Sequence, residues 1–171
     1  VIRRSDKPEL CVRNATRVVE SLNRMDSMIQ NLLDAGRIRS GQLLSVEATE
    51  CDPSAVAHEV IDEMITTHGD RFVLSSDSEI RTWWGHDLFR RALENLLSNA
   101  VKYGDSAAPI TVTIKEADSV VKITVHNEGS PIPENDRATL FLNYRRSKSA
   151  EKSSKKGWGL GLTLVSGVAQ A

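Results

Sequence analysis

Near the start of the chain, apolar residues recur in alternating steps of four and three: Cys11, Ala15, Val18, Leu22, Met25, Ile29 and Leu32. That spacing is a heptad seam, the pattern of a helix in a bundle or coiled coil. Ser5-Asp6-Lys7-Pro8 reads as a turn, and proline suits a helix's first position. Arg13, Arg17, Glu20, Asn23, Arg24 and Gln30 fill the outer face. Gly41 after Ser40 predicts a stop near Arg39, for a helix of about five turns. Such a stripe suits either an amphipathic helix packed on its own domain or one that pairs with separate partner helices. Its place at the chain end favours pairing.

Beyond Gly41 the pattern becomes short and mixed. Leu43 to Glu47 predicts a strand, and Asp52-Pro53 predicts a helix start, with Asp52 as cap and Val56, Val60, Ile61 and Met64 on the buried face. Phe72 to Leu74 and Ile80 to Trp84 read as strands. Asp87 to Tyr103 is a strong helix pattern, with Leu88, Ala92, Leu96 and Val101 apolar and Asp87 placed to cap it. Ile110 to Lys115 and Val120 to His126 alternate cleanly, predicting an antiparallel pair turning at Ala117-Asp118-Ser119. Ser130 to Gly157 is polar and irregular, and Leu160 to Ala169 returns to helix. This order predicts an α/β sandwich, with helices on one face of a mixed sheet.

Composition narrows the setting but not the chemistry. The 171 residues are 40% hydrophobic and 26% charged, with a net charge of -1. That suits one globular domain with a helical appendage and argues against bulk nucleic-acid binding. No stretch is apolar enough to span a bilayer, and Val1 to Arg4 open no signal peptide. Cys11 and Cys51 fit no metal spacing and read as free thiols. A cytoplasmic location and no direct membrane contact are expected. Arg145, Arg146, Lys148, Lys152, Lys155 and Lys156 face only one acid in their segment, Glu151. So long a polar segment is either a solvated loop or a lid that closes over a polyanion.

Three constellations carry the candidate chemistry. Asn95 and Asn99 are four apart in Glu94-Asn95-Leu96-Leu97-Ser98-Asn99-Ala100-Val101-Lys102-Tyr103, so both project from one helical face, with Lys102 nearly aligned. Two carboxamides and an ammonium there suit a hydrated Mg²⁺ and phosphate oxygens; two exposed polar residues are the plainer reading. His126-Asn127-Glu128-Gly129-Ser130-Pro131-Ile132-Pro133 follows a strand, where a polar side chain and a glycine suit a flat heterocycle. Gly157-Trp158-Gly159-Leu160-Gly161-Leu162 opens a helix, where free N–H groups bind phosphate. It lacks the dinucleotide-binding spacing. Each signal is weak alone; their order and intervals are specific.

Together they resemble the asparagine box and two glycine boxes of the sensor histidine kinase catalytic domain, the GHKL (Bergerat) fold. Phe141 and Tyr144-Arg145 stand where that family has its phenylalanine box, and Arg24 to Asp34 resembles the second helix of the family's dimerisation bundle. The resemblance implies an α/β sandwich preceded by a long bundle helix. Residues 1–41 would be part of the dimerisation segment and 42–171 a catalytic ATP-binding domain without its final strands.

The resemblance also implies roles. Asn99 would hold Mg²⁺, with Asn95 supporting metal and phosphates. Lys102 would meet phosphate and Tyr103 would lie near adenine. Asn127 would sit under the adenine amino group, with Gly129 and Ile132 beside it. Gly157, Gly159, Leu160 and Gly161 would cradle phosphates, and Arg145 would act from the lid side. Asn95, Asn99 and Lys102 would be catalytic and ATP and Mg²⁺ the cofactors. A second copy, through the bundle, and a response-regulator receiver domain would be the partners.

Three residues depart from the family pattern. Asn127 replaces the usual aspartate, as in a bacteriophytochrome-like subgroup that also carries Pro-Ile-Pro; the lost charge assistance is worth about 1 kcal/mol, roughly five-fold in affinity. Pro131 stands at the box's second glycine, and Trp158 replaces a commoner small residue. None of His58, His68, His86 and His126 fits a phosphoacceptor, which is expected on a helix outside this chain. The competing functions are a GHKL ATPase and a degenerate kinase that signals through its helix without nucleotide.

Overall fold

The computed structural model describes residues 8–77, 80–137, 139–141 and 159–171. Helix α1 (Pro8–Arg39) runs 32 residues and has the expected bounds; that length is about nine turns, not the expected five. The seam from Cys11 to Leu32 by itself covers about six turns, so five understates even the seam. Gly41 ends the helix with a left-handed φ of 75°. Its N–H donates to the Ile38 carbonyl and that of Gln42 to the Arg37 carbonyl, both at 3.0 Å, which satisfies the last turn.

The segment after Gly41 is not the expected strand. Leu43 to Glu47 joins no ladder, and strand β1 (Thr49–Cys51) begins later. The alternation there serves side-chain burial instead. Leu44 is buried, and its Cδ1 lies beside Gly167, while Val46 Cγ1 lies beside Gly85. β1 pairs antiparallel with β3 (Thr82–Trp84), Glu50 opposite Trp83. Between them lie helix α2 (Pro53–His68) and strand β2 (Phe72–Ser76). Asp52 caps α2 by accepting from the Ser54 N–H, and Pro53 opens it, as the sequence predicts.

Helix α3 (His86–Tyr103) begins one residue before its expected start. Its N-cap is Gly85, with no side-chain cap, and the Phe89 N–H closes the first turn on the Gly85 carbonyl at 2.9 Å. Asp87 is therefore not the cap. It lies within the first turn, where a carboxylate complements the helix dipole, and contacts His86 Nδ1 at 3.2 Å.

Strands β4 (Ile110–Ala117) and β5 (Val120–Asn127) form the predicted hairpin. Asp118 and Ser119 take φ of 51° and 63° at its tip, the doubly left-handed turn that matches strand twist. β4 pairs parallel with β2 and antiparallel with β5, giving a mixed sheet in the order β2-β4-β5. Its inner face sends Ile110, Val112 and Ile114 into a core with Val56, Val60 and Ile61 of α2 and Phe89, Leu93, Leu97 and Ala100 of α3. The other face of β5 carries exposed Lys122, Thr124 and His126. A short helix, α4 (Glu134–Arg137), follows, and α5 (Gly161–Gln170) ends the described chain. α5 packs on α3 and on α1. Cys11 is exposed, Cys51 buried, and both are free thiols. Among the described residues no helix is long and apolar enough to cross a membrane.

Candidate functional site

Three segments far apart in sequence meet on α3. Near the middle of the helix, the Asn95 Nδ2 donates to the Arg91 carbonyl at 2.8 Å. That bond aims Oδ1 at the first residue of α5. A Cβ on Gly161 would lie 2.4 Å from this oxygen, so only glycine lets α5 begin so close to α3. Asn99, one turn further on, is half-buried, and its side chain makes no hydrogen bond among the described residues. The two asparagines thus differ: Asn95 is engaged in holding α5, and Asn99 retains its acceptor and donors. Lys102 is exposed and forms no ion pair among the described residues. Tyr103 is partly exposed at the helix end.

The second constellation is stitched to that same end of α3. The Asp105 N–H donates to the Glu128 carbonyl at 2.6 Å. A Cβ on Gly129, whose φ is 155°, would lie 2.9 Å from the Tyr103 carbonyl oxygen. Gly104 has the reciprocal role: a Cβ there would lie 3.1 Å from both Cβ and Nδ2 of Asn127. Asn127 is half-buried, and its Nδ2 donates to the Glu128 carbonyl at 3.3 Å. Ile132 is exposed, and its carbonyl accepts from Arg137 Nε at 3.3 Å.

The third constellation opens α5. Gly159 takes a left-handed φ of 72°, and among the described residues no side chain caps the helix start. The first N–H groups of α5 therefore lack a cap beside Asn95, an arrangement that attracts anions. Leu160 is buried, so its side chain belongs to the interior. Thr163 Oγ1 donates to the Phe141 carbonyl at 3.3 Å, tying α5 to the turn at 139–141. Arg145, Gly157, Trp158 and the basic segment around them lie outside the described residues.

Glu94, adjacent in sequence, belongs to another face. Arg90 holds it at 3.0 Å and also reaches Glu63 at 2.6 Å and Glu59 at 3.4 Å on α2. Partial burial pushes the Glu94 carboxyl upward; Arg90 opposes that and Glu63 reinforces it. The hydrogen bond from Arg90 to Glu63 raises the guanidinium further.

Two features escaped the sequence reading. Gly104 follows the asparagine helix directly, and a glycine just past a strong helix is a close-approach signal available in sequence. Asp34 of α1 is buried against Arg91. Nothing in sequence joins residues 57 positions apart.

The family model for the histidine kinase-, DNA gyrase B- and HSP90-like ATPases matches residues 85–171. The bacteriophytochrome of Pseudomonas aeruginosa is 28% identical over 152 residues, 88% of this chain and 21% of its own. The probable sensor kinase SilS of Salmonella typhimurium is 28% identical over 158 residues, 90% of this chain and 32% of its own. The chain thus spans between a fifth and a third of these relatives' length. Among solved structures, full-length ShkA in complex with AMPPNP superposes with a TM-score of 0.71 at 21% identity, over 97% of this chain and 35% of that one. The catalytic domain of the histidine kinase ThkA superposes with a TM-score of 0.60 at 25% identity, over 71% and 79%. With more than half its length matched by the family model, on a fold these structures share, the chain belongs to the histidine kinase-, DNA gyrase B- and HSP90-like ATPase family.

Proposed function

We propose that this chain is the ATP-binding catalytic part of a sensor histidine kinase, which transfers the γ-phosphate of ATP to a histidine outside residues 1–171. The observation that carries this reading is the convergence of Asn95, Asn99, Gly161 and the Asn127–Gly129 loop along one helix. The loop at the C-terminal end of α3 suits the base, with Asn127 Oδ1 able to accept from an adenine amine. The uncapped start of α5 suits the phosphates. Between them, Asn99 offers a carboxamide and Lys102 an ammonium that no described residue engages. Carboxamide oxygen is a hard donor suited to Mg²⁺. Asn99 would hold that ion, which neutralises phosphate charge when bound. Phosphoryl transfer of this kind depends mainly on positioning and charge neutralisation.

The acceptor imidazole supplies the nucleophile, so the domain needs no water-activating base. A water-using relative of this fold needs a carboxylate four residues before the metal asparagine. Here that residue is Asn95, which cannot take a proton and is already bonded to Arg91. Glu94 is turned to Arg90 and α2. The open asparagine and unpaired lysine likewise favour a nucleotide-using domain over a nucleotide-free signalling module. The exposed seam of α1, with Val18, Leu22, Met25, Ile29 and Leu32 uncovered, supports pairing with a second copy through a helical bundle. Residues 1–41 then belong to that bundle and 42–171 to the catalytic domain. A receiver domain is the phosphate's next acceptor.

The test supplies ATP and a separate helical bundle bearing an acceptor histidine. Acid-labile phosphate on the bundle, lost in Asn99→Ala, is the expected result. ATP hydrolysis without phosphotransfer, abolished by Glu94→Ala, would make the domain an ATPase instead.

A further inference from the structure

Asp34 is a carboxylate at 5% exposure, a costly location unless its charge is met. Arg91 of α3 meets it: one guanidinium nitrogen donates to Asp34 Oδ2 at 2.6 Å and to Asn31 Oδ1 at 3.1 Å. Packing alone would not require an ion pair here, since Ala35 and Ile38 on the same part of α1 already give it an apolar contact. What distinguishes Arg91 is its place. It lies one turn before Asn95, and its own carbonyl accepts the Asn95 side chain at 2.8 Å. Asn95 then presses on Gly161, and further along α5 a Cβ on Gly167 would meet Ile38 Cδ1 at 2.4 Å. The contacts form a closed ring: α1 to Arg91, Arg91 to Asn95, Asn95 to the start of α5, and α5 back to α1.

We propose that Arg91, with Asp34 as its buried counter-ion, is a positioning residue for the phosphate end of the nucleotide site. It fixes the turn of α3 that orients Asn95, and Asn95 holds the uncapped start of α5 in place relative to Asn99. This rests on the nucleotide-binding reading given above. The base end of the site, at Gly104 and Asn127, lies further along at the C-terminal end of α3, and among the described residues no hydrogen bond or ion pair joins it to this ring. The ion pair therefore affects metal and phosphate binding and leaves binding of the base unchanged.

The experiment titrates Mg²⁺-ADP and, separately, adenosine, which carries the base without phosphates, into the full chain by calorimetry for wild type, Asp34→Asn, Arg91→Met and the double change Asp34→Leu with Arg91→Met. Circular dichroism and thermal melts of each protein accompany the titrations. Asp34→Asn and Arg91→Met are expected to weaken Mg²⁺-ADP binding about five-fold and adenosine binding less than about two-fold. The apolar double variant, which leaves no buried charge unpaired, is expected to recover the melting temperature of wild type but not its Mg²⁺-ADP affinity. Variants that melt earlier yet bind Mg²⁺-ADP as wild type does would overturn the positioning role and leave a purely structural pair. An equal loss for Mg²⁺-ADP and adenosine would overturn it too. A folded wild type that binds no ADP at all would overturn the nucleotide reading itself, a result distinct from either.

Discussion

The two long helices of this protein carry the same kind of stripe and meet different fates. On α3, Leu93 and Leu97 are 1% and 0% exposed, sealed against α2 and the sheet. On α1, Leu22 and Ile29 remain 55% and 50% exposed. Among the described residues, the last turns of α1, from Asn31 to Ile38, are held by α3 and α5. An apolar period states which face of a helix wants cover and not what covers it. For α3 the cover is this chain. For most of α1 nothing among the described residues supplies it.

Core truncation tests that difference most strongly. Leu97→Ala should cost about 2–5 kcal/mol, read as a large fall in denaturation midpoint. Leu22→Ala should change the same midpoint by about 0.5 kcal/mol or less and act instead on self-association in sedimentation. Equal costs at both sites would mean that the α1 seam is covered within the chain. Where α5 begins, Gly161→Ala places a methyl 2.4 Å from Asn95 Oδ1. The helix start must shift, at about 1–3 kcal/mol, and nucleotide affinity should fall by about ten-fold. Asn127→Asp restores charge assistance at the base end and should tighten nucleotide binding about five-fold. A matched loss at Gly161 and gain at Asn127 would locate the phosphates near the middle of α3 and the base at its C-terminal end.

The smallest effect concerns Glu94 on the other face of that helix. Burial raises its carboxyl above the ordinary value of 4.5, so the folded chain holds this proton more tightly than the unfolded one. The stability it contributes is fully present below 4.5 and is lost as pH rises through the raised folded value. Glu94→Gln removes that slope. In a series of melts, the advantage of wild type over the variant should shrink from acid toward neutral pH. Nucleotide affinity should not follow it.

Much of this was legible in sequence, for local reasons. Asp52-Pro53 announced α2, Gly41 announced the end of α1, and Ala117-Asp118-Ser119 announced the hairpin turn, because caps and turns are written in neighbouring residues. The asparagine pair and the glycine boxes were visible as spacing. What stayed hidden depended on distant partners. Leu43 to Glu47 alternates like a strand, but Leu44 and Val46 pack beside Gly167 of α5 and Gly85 at the start of α3, and its backbone joins no ladder among the described residues. Asp87 looked like a cap because the contact that starts α3 at Gly85 has no side-chain signature. The buried Asp34–Arg91 pair joins two helices that no periodicity relates. Helical spacing alone makes Asn95 and Asn99 equivalent, and only the family resemblance gives them different expected roles. The approach of Gly161 adds that Asn95 is the one that holds α5.

A calorimetric titration of Mg²⁺-ADP into the wild-type chain and into Asn99→Ala, with folding of both checked by circular dichroism, tests that separation. Metal-dependent binding by wild type and a loss of at least about ten-fold in Asn99→Ala, with the fold intact, are expected of a metal-holding Asn99. Binding that survives Asn99→Ala undiminished, or a folded wild-type chain indifferent to Mg²⁺-ADP, would contradict it.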